Sequence, residues 1–417
     1  MQFDHSPEVE ALCQRLRDFM DHYILPANAA FHHAVAAGGH PVELIERLKA
    51  RAWEAGLWNM FLPSLADDQP GLRLSNLDYA PLAEIMGRVS WSAEVFNCAA
   101  PDSGNMELLQ LFGSAAQKAR WLDPLLTGEI RSVFCMSEPD AASSDPTNLA
   151  TTIRRDGDDY VIDGRKWFIT GTRHPKLKVA IVFGITDPDP AAARHRRHSF
   201  VIVPIDQPGV SITRDITLMG AHSPEGHGEV VFRGVRVPAC NLIGEEGSAF
   251  AIAQARLGPG RVHHAMRSIG QCELALELMT ERALERRVFG QTLAERANIR
   301  DWIAESRIEI DQCRLLVLHA AWLMDTKGNA AARTAVSAIK LASARLQTRV
   351  VDRAMQVFGA AGLSPDTPLA ALWNWGRALR VLDGPDEVHL QTVARAELAA
   401  ARAATGRNAL HFVAPAV

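Results

Sequence analysis

No two cysteines of this chain have the CxxC spacing of a zinc or redox site: Cys13, Cys98, Cys135, Cys240, Cys272 and Cys313 lie scattered through 417 residues. That usage reads as reduced thiols in a cytosol-like compartment and argues against structural zinc. There is no basic excess either. Lysine and arginine number 44 against 48 acidic residues, a formal charge of −4, which leaves no broad cationic field for a polyphosphate backbone, so nucleic acid is not an expected partner. No apolar run reaches membrane-spanning length. The N-terminus carries Asp4, Glu8 and Glu10 rather than a basic start followed by an apolar stretch, so no secretory signal is expected and the protein reads as soluble and cytoplasmic.

What is present is a composition able to fold. Apolar residues make up 47% and charged residues 22%, a balance that supports a real core. The length points to two or three structural units. From Ser6, which with Pro7 forms a cap and first-turn pair, apolar residues recur at helical intervals to about residue 130. Gly113 through Leu126 reads as a short helix with Trp121 and Leu122 inside. Residues 131–241 change texture: turn dipeptides Asp156-Gly157 and Asp163-Gly164, and the runs VAIVFGIT, HSFVIVPI and EVVFRGVRVP, predict a small antiparallel β domain, barrel or sandwich. After 242 long helices return. Val262, Met266, Ile269, Cys272, Leu276, Met279 and Ala283 form one stripe, two further patterns run over 298–325 and 329–358, and a last helix from Gly384 completes a four-helix-type bundle. The expected domains are thus 1–130, 131–241 and 242–417, in a mainly helical α+β protein.

Five segments could carry chemistry, and each has a bland reading beside the sharp one. FCMSEPDAASSD (Phe134–Asp145) offers hydroxyls and backbone N–H groups to a polar ring edge or a phosphate, or is an ordinary capped loop. RKWFITGT (Arg165–Thr172) could set Trp167, Phe168 and Thr170 against a planar cofactor, or be strand core. ERRVFG (Glu285–Gly290) suits a pyrophosphate or is a solvated helix end. Gly359 and Gly362 permit close backbone approach or end a helix. In LDGPDEVH, Asp383 is a catalytic carboxylate or a helix cap. His263-His264 and Arg194–His198 (RHRRH) read as structural and as a solvated loop, and no metal site is expected.

In type and order these segments resemble the acyl-CoA dehydrogenase family across essentially the whole chain. SEPDAASSD, LSPDTPLA and DGPDEVH are most similar to the branch of human acyl-CoA dehydrogenase family members 10 and 11. The resemblance implies the fold of that family and an FAD cofactor, with Phe134, Met136, Ser137 and Ser143 along the flavin and Phe168, Ile169 and Thr170 completing its ring contacts. Ser144 would face the acyl-CoA substrate, with Arg261 and Gly384 as further substrate-binding positions. Arg286, Phe289, Gln356, Val357 and Gly359 would hold the adenosine diphosphate half from a neighbouring subunit, which implies a homodimer or homotetramer. The family's glutamate base in a Tyr-Glu-Gly-Thr block is matched by Leu382, Asp383, Gly384 and Pro385; the other position used by relatives is Gly260, so the resemblance leaves Asp383 as base. Asp383 is one methylene shorter, and Pro385 replaces a hydroxyl that Glu387 could compensate. The implied reaction is α,β-dehydrogenation of an acyl-CoA, with an electron-transfer flavoprotein as acceptor and a place in fatty acid β-oxidation. An oxidase or flavin monooxygenase on the same scaffold, and a non-catalytic acyl-CoA-binding subunit, are the rival readings.

Overall fold

In the computed structural model residues 5–404 and 411 are described, the side chains of residues 255–257 excepted. They fall into two compact units that divide after Leu274, within one long helix. The first opens with helices α1 (Pro7–Phe19), α2 (Leu25–Ala36), α3 (Val42–Glu54), α4 (Asn76–Gly87) and α5 (Asp102–Phe112). The Ser6 hydroxyl accepts the Val9 N–H at 3.3 Å and Pro7 occupies the first turn, where its missing N–H costs nothing. Within Gly113–Leu126, Ser114 caps a helix in short pieces, Ala115–Leu126, around a π turn, Lys118–Leu122, that buries Trp121 and Leu122. Among the described residues no strand precedes Arg131.

Eight strands follow: β1 (Arg131–Cys135), β2 (Thr152–Asp156), β3 (Asp159–Thr170), β4 (Leu177–Ile185), β5 (His198–Pro204), β6 (Val210–Asp215), β7 (His227–Pro238) and β8 (Leu242–Ile243). They form one sheet in the order β6-β7-β3-β2-β4-β5-β8, with β1 also on β4. Most pairs are antiparallel, as the turn-rich pattern suggests, but β1 and the start of β2 run parallel to β4. Val133, Ile153, Ile162, Val182, Val201, Val230 and Phe232 fill the core of the sheet. Gly157 makes its turn at φ 63°. Asp163-Gly164 makes none: β3 continues through it with a register shift, and Gly164 is required because a Cβ there would meet the Thr151 hydroxyl at 2.3 Å.

The helical layer and the sheet are joined by buried charge. Asp102 Oδ1 accepts the Ser132 N–H at 2.6 Å while Oδ2 lies 2.7 Å from Arg131 Nε. The long helix α6 (Ala249–Glu285) carries its seven-residue stripe from Val262 to Ala283 fully inward. It meets α4 backbone to backbone: a Cβ on Gly270 would sit 1.9 Å from the Glu84 carbonyl oxygen, and one on Gly87 2.4 Å from that of Arg267.

The second unit continues from α6 into a hairpin, β9 (Arg287–Val288) with β10 (Gln291–Thr292), then α7 (Ala297–Phe358), α8 (Leu369–Leu379) and α9 (Asp386–Ala403). Gly328, at φ 81° and ψ 168°, breaks α7 into two helices, 297–327 and 329–358, which is where the two sequence patterns part. Arg353 ties these halves together through Ser306 Oγ at 3.1 Å and Glu309 Oε2 at 3.2 Å. Gln347 Nε2 donates to the Leu372 carbonyl at 2.8 Å and lies against Gly376, seating α8. Among the described residues no helix is long and apolar enough to cross a membrane.

Candidate active site

In the first unit, the end of β1 and the loop after it meet the far end of β3. Lys166 is fully buried, and its ammonium donates to the Met136 carbonyl at 2.9 Å and to Glu138 Oε1 at 2.8 Å. The Glu138 carboxylate also accepts the N–H groups of Ala150 at 2.7 Å and Thr151 at 2.9 Å. Burial alone would raise the Glu138 carboxyl, but the Lys166 charge and these hydrogen bonds outweigh it and hold it below the usual carboxylate range. Burial lowers the Lys166 ammonium, opposed by Glu138. Residue types alone gave no role to this pair, although both members lie inside the singled-out segments.

The lock fixes what stands beside it. The Trp167 N–H donates to the Ser137 carbonyl at 3.0 Å, so β3 pairs here with the loop and its register with β7 shifts between Lys166 and Ile169. Phe168 sits in that irregularity at φ 51°, 42% exposed, its ring packed edge-on to Trp167 at 4.9 Å. A phenylalanine held in the left-handed region is strained. Strand core is therefore the wrong description of Phe168, whereas it fits Ile169, which is buried. Thr170 Oγ1 lies 3.1 Å from His227 Nδ1. Phe134, Met136 and Ser137 are half-buried and Ser144 is exposed. The Ser143 hydroxyl accepts the Glu138 N–H at 3.0 Å and so helps set the loop itself. Arg261 is half-buried on α6.

In the second unit, Asp383 lies in a turn before α9, half-buried, at φ 53°, followed by Gly384 at φ 98°. It is not the helix cap: the cap position is Pro385, without a side-chain bond, and the helix starts at Asp386 rather than Gly384. Asp386 is buried and receives Arg380 Nε at 2.9 Å and Arg345 Nε at 3.2 Å. Glu387 is exposed. At the hairpin, Phe289 at φ 49° and Gly290 at φ 81° make a two-residue turn whose positive dihedrals favour Asn-Gly. Phe289 is 98% exposed, and Arg286 beside it is exposed too. Gln356 is exposed and Val357 buried, and Gly359 both ends its helix and leaves its backbone open at φ 64°.

Two bland readings change in detail. Of RHRRH, His198 is not solvated: it opens β5 fully buried and stacks on Phe183 at 4.8 Å, while Arg194 pairs with Asp145 on the loop after β1. His263 packs against the rings of Tyr79 and Phe61, where burial lowers its pKa well below the usual value. Among the described residues His40, Glu94 and His174 could face one metal ion, their ligand atoms lying within 4.8 Å of one another. Protein partners already use them: His174 bridges Glu94 Oε1 at 2.9 Å and the Lys176 N–H at 3.1 Å, and the Lys49 ammonium lies 3.3 Å from the same oxygen. A buried ammonium on that carboxylate competes with a cation.

Comparison with known proteins covers the whole layout. Models described as the N-terminal, middle and C-terminal domains of acyl-CoA dehydrogenase match residues 6–129, 133–235 and 247–398. The chain is 51% identical over 407 residues to a Mycobacterium tuberculosis protein named as the acyl-CoA dehydrogenase FadE2, covering 95% of this chain and 97% of that one. It is 47% identical over 393 residues to human acyl-CoA dehydrogenase family member 11, covering 92% of this chain but only 49% of that one, so it spans about half the length of this relative. A solved Mycobacterium abscessus structure described as an acyl-CoA dehydrogenase superposes with a TM-score of 0.90 at 51% identity, covering 95% of this chain and 100% of that one. For the butyryl-CoA dehydrogenase of Megasphaera elsdenii the TM-score is 0.81 at 26% identity, with 95% and 100% covered.

Proposed function

Because the chain belongs to the acyl-CoA dehydrogenase family, oxidoreductases acting on CH–CH donors, we propose that it converts an acyl-CoA thioester to the trans-2-enoyl-CoA with FAD as cofactor. The observation that carries this reading is Asp383, a half-buried carboxylate held in left-handed backbone where a cap would have needed none. Its carboxylate takes the proton from the α-carbon. The backbone N–H groups of the Asp383–Gly384 turn polarise the thioester carbonyl, which acidifies that carbon. When bound, FAD supplies the acceptor for the hydride leaving the β-carbon, and an electron-transfer flavoprotein relieves it of the electrons.

The residues present fit a planar cofactor. Phe168 offers an exposed ring in a strained, rigidly backed position, and the Lys166–Glu138 pair presets the end of β1 with Phe134 and the loop carrying Met136, Ser137 and Ser143. Ile169 and Thr170 contribute through the irregular end of β3, Ser144 and Arg261 face the acyl-CoA, and Glu387 takes the place of the hydroxyl lost at Pro385. Display of Phe289 at a hairpin tip beside Arg286 supports a role toward a neighbouring subunit's adenosine diphosphate group, with Gln356, Val357 backbone and Gly359. The working protein is then a homodimer or homotetramer. Purified protein mixed anaerobically with a panel of acyl-CoA esters tests the reading. Bleaching of the flavin absorbance by at least one ester is expected, and a protein that binds no flavin contradicts it.

A further inference from the structure

We infer that Lys340, His389 and Asp386 are positioning residues that aim the Asp383 carboxylate; this rests on the reading of Asp383 as the base. An aspartate reaches one methylene less far than a glutamate, so the direction of its Cα–Cβ bond, set by the backbone, decides where the carboxylate lands. That backbone is unusual at two successive residues, with φ 53° at Asp383 and 98° at Gly384. Both peptide carbonyls are captured by side chains from the body of the unit. His389 Nε2, on the first turns of α9 and buried, lies 3.2 Å from the Asp383 carbonyl oxygen. The Lys340 ammonium, on helix 329–358 and 5% exposed, donates to the Gly384 carbonyl.

The far side of the turn is closed by Asp386. Its N–H donates to the Arg380 carbonyl at 3.1 Å, and its carboxylate, 3% exposed, draws in Arg380 from the end of α8 and Arg345 from helix 329–358. Helix formation does not call for this apparatus, since Pro385 already starts α9 without a side-chain cap. A buried ammonium is costly to desolvate, and here it donates to a main-chain oxygen of the turn. Gly384 fits the same arrangement, because a Cβ there would stand 3.0 Å from His389 Nε2 and strain the turn.

The test uses flavin-loaded protein and anaerobic stopped-flow reduction by an acyl-CoA that bleaches the wild type. Lys340→Met should lower the reduction rate constant by roughly tenfold or more while leaving acyl-CoA affinity within about threefold, the signature of a misaimed group rather than a lost binding contact. Arg345→Gln, at a half-exposed side chain that leaves Arg380 in place, should fold normally and slow reduction by about threefold. If either variant is thermally weakened yet reduces at the wild-type rate, the role is structural and the inference fails. Asp383→Asn separates the two claims: an active Asp383→Asn overturns the base assignment itself, whereas an inactive one with unaffected Lys340 and Arg345 variants overturns only the positioning.

Discussion

Lys166 Nζ lies 2.8 Å from Glu138 Oε1, and neither side chain reaches solvent appreciably. Removing one partner strands the other charge in the interior. Lys166→Met should therefore cost about 3–5 kcal/mol, and the double variant Lys166→Met with Glu138→Gln should recover part of that loss. Urea unfolding of the wild type and both variants checks it. A single variant as stable as the wild type would mean that the pair does not hold the loop.

Gly270 and Gly87 bring α4 and α6 into backbone contact. Gly270→Ala puts a methyl group on the Glu84 carbonyl, which cannot swing away as a side chain would. Overpacking of this kind costs about 1–3 kcal/mol, although alanine is the better helix former. Thermal denaturation should show a lower midpoint, and an unchanged or raised midpoint would contradict the close approach.

His40, whose side chain is 5% exposed, faces Glu94, His174, Lys49 and Arg131. Burial pulls its pKa down to about 4 from an ordinary 6.5; Glu94 opposes the shift, while His174, Arg131 and Lys49 add to it. Between those values the unfolded chain binds a proton that the folded protein does not, so stability falls as pH drops from about 6.5 to about 4. Its share is roughly 2–3 kcal/mol at most. His40→Gln should flatten the slope of unfolding free energy against pH in that window, and an undiminished slope would assign the effect to the other buried histidines.

Phe168 provides exposed aromatic area in a strained backbone position. Phe168→Ala should keep the fold and weaken FAD retention by roughly two- to tenfold, the worth of one aromatic contact. Ultrafiltration of the holoenzyme at graded dilution measures it; unchanged retention would remove Phe168 from the cofactor's surroundings.

Much of the layout was legible because it rests on local rules. The Ser6–Pro7 start, the buried stripe along α6 and the parting of two helices at Gly328 are all matters of periodicity and backbone freedom. Asp163-Gly164 misled because a glycine can serve a turn or a tight crossing, and only the arrival of Thr151 from elsewhere in the chain makes it the second. Likewise the parallel pairing of β1 with β4 depends on a partner more than forty residues away.

At the candidate site the sequence marked the segments better than the roles of their members. Asp383 stood out beside a Gly-Pro break, yet whether it capped a helix depended on a start at Asp386. Lys166, Lys340 and His389 looked unremarkable, because what distinguishes them is burial and the particular carbonyl each one meets. Lys166 and Lys340 meet carbonyls 30 and 44 positions away, beyond the reach of any local pattern.

The most direct measurement compares anaerobic flavin reduction in wild-type and Asp383→Asn protein, both loaded with FAD and mixed with the same acyl-CoA. Removing the base should leave the cofactor and substrate bound while slowing reduction by about two to four orders of magnitude. Reduction of the variant at the wild-type rate would contradict the account.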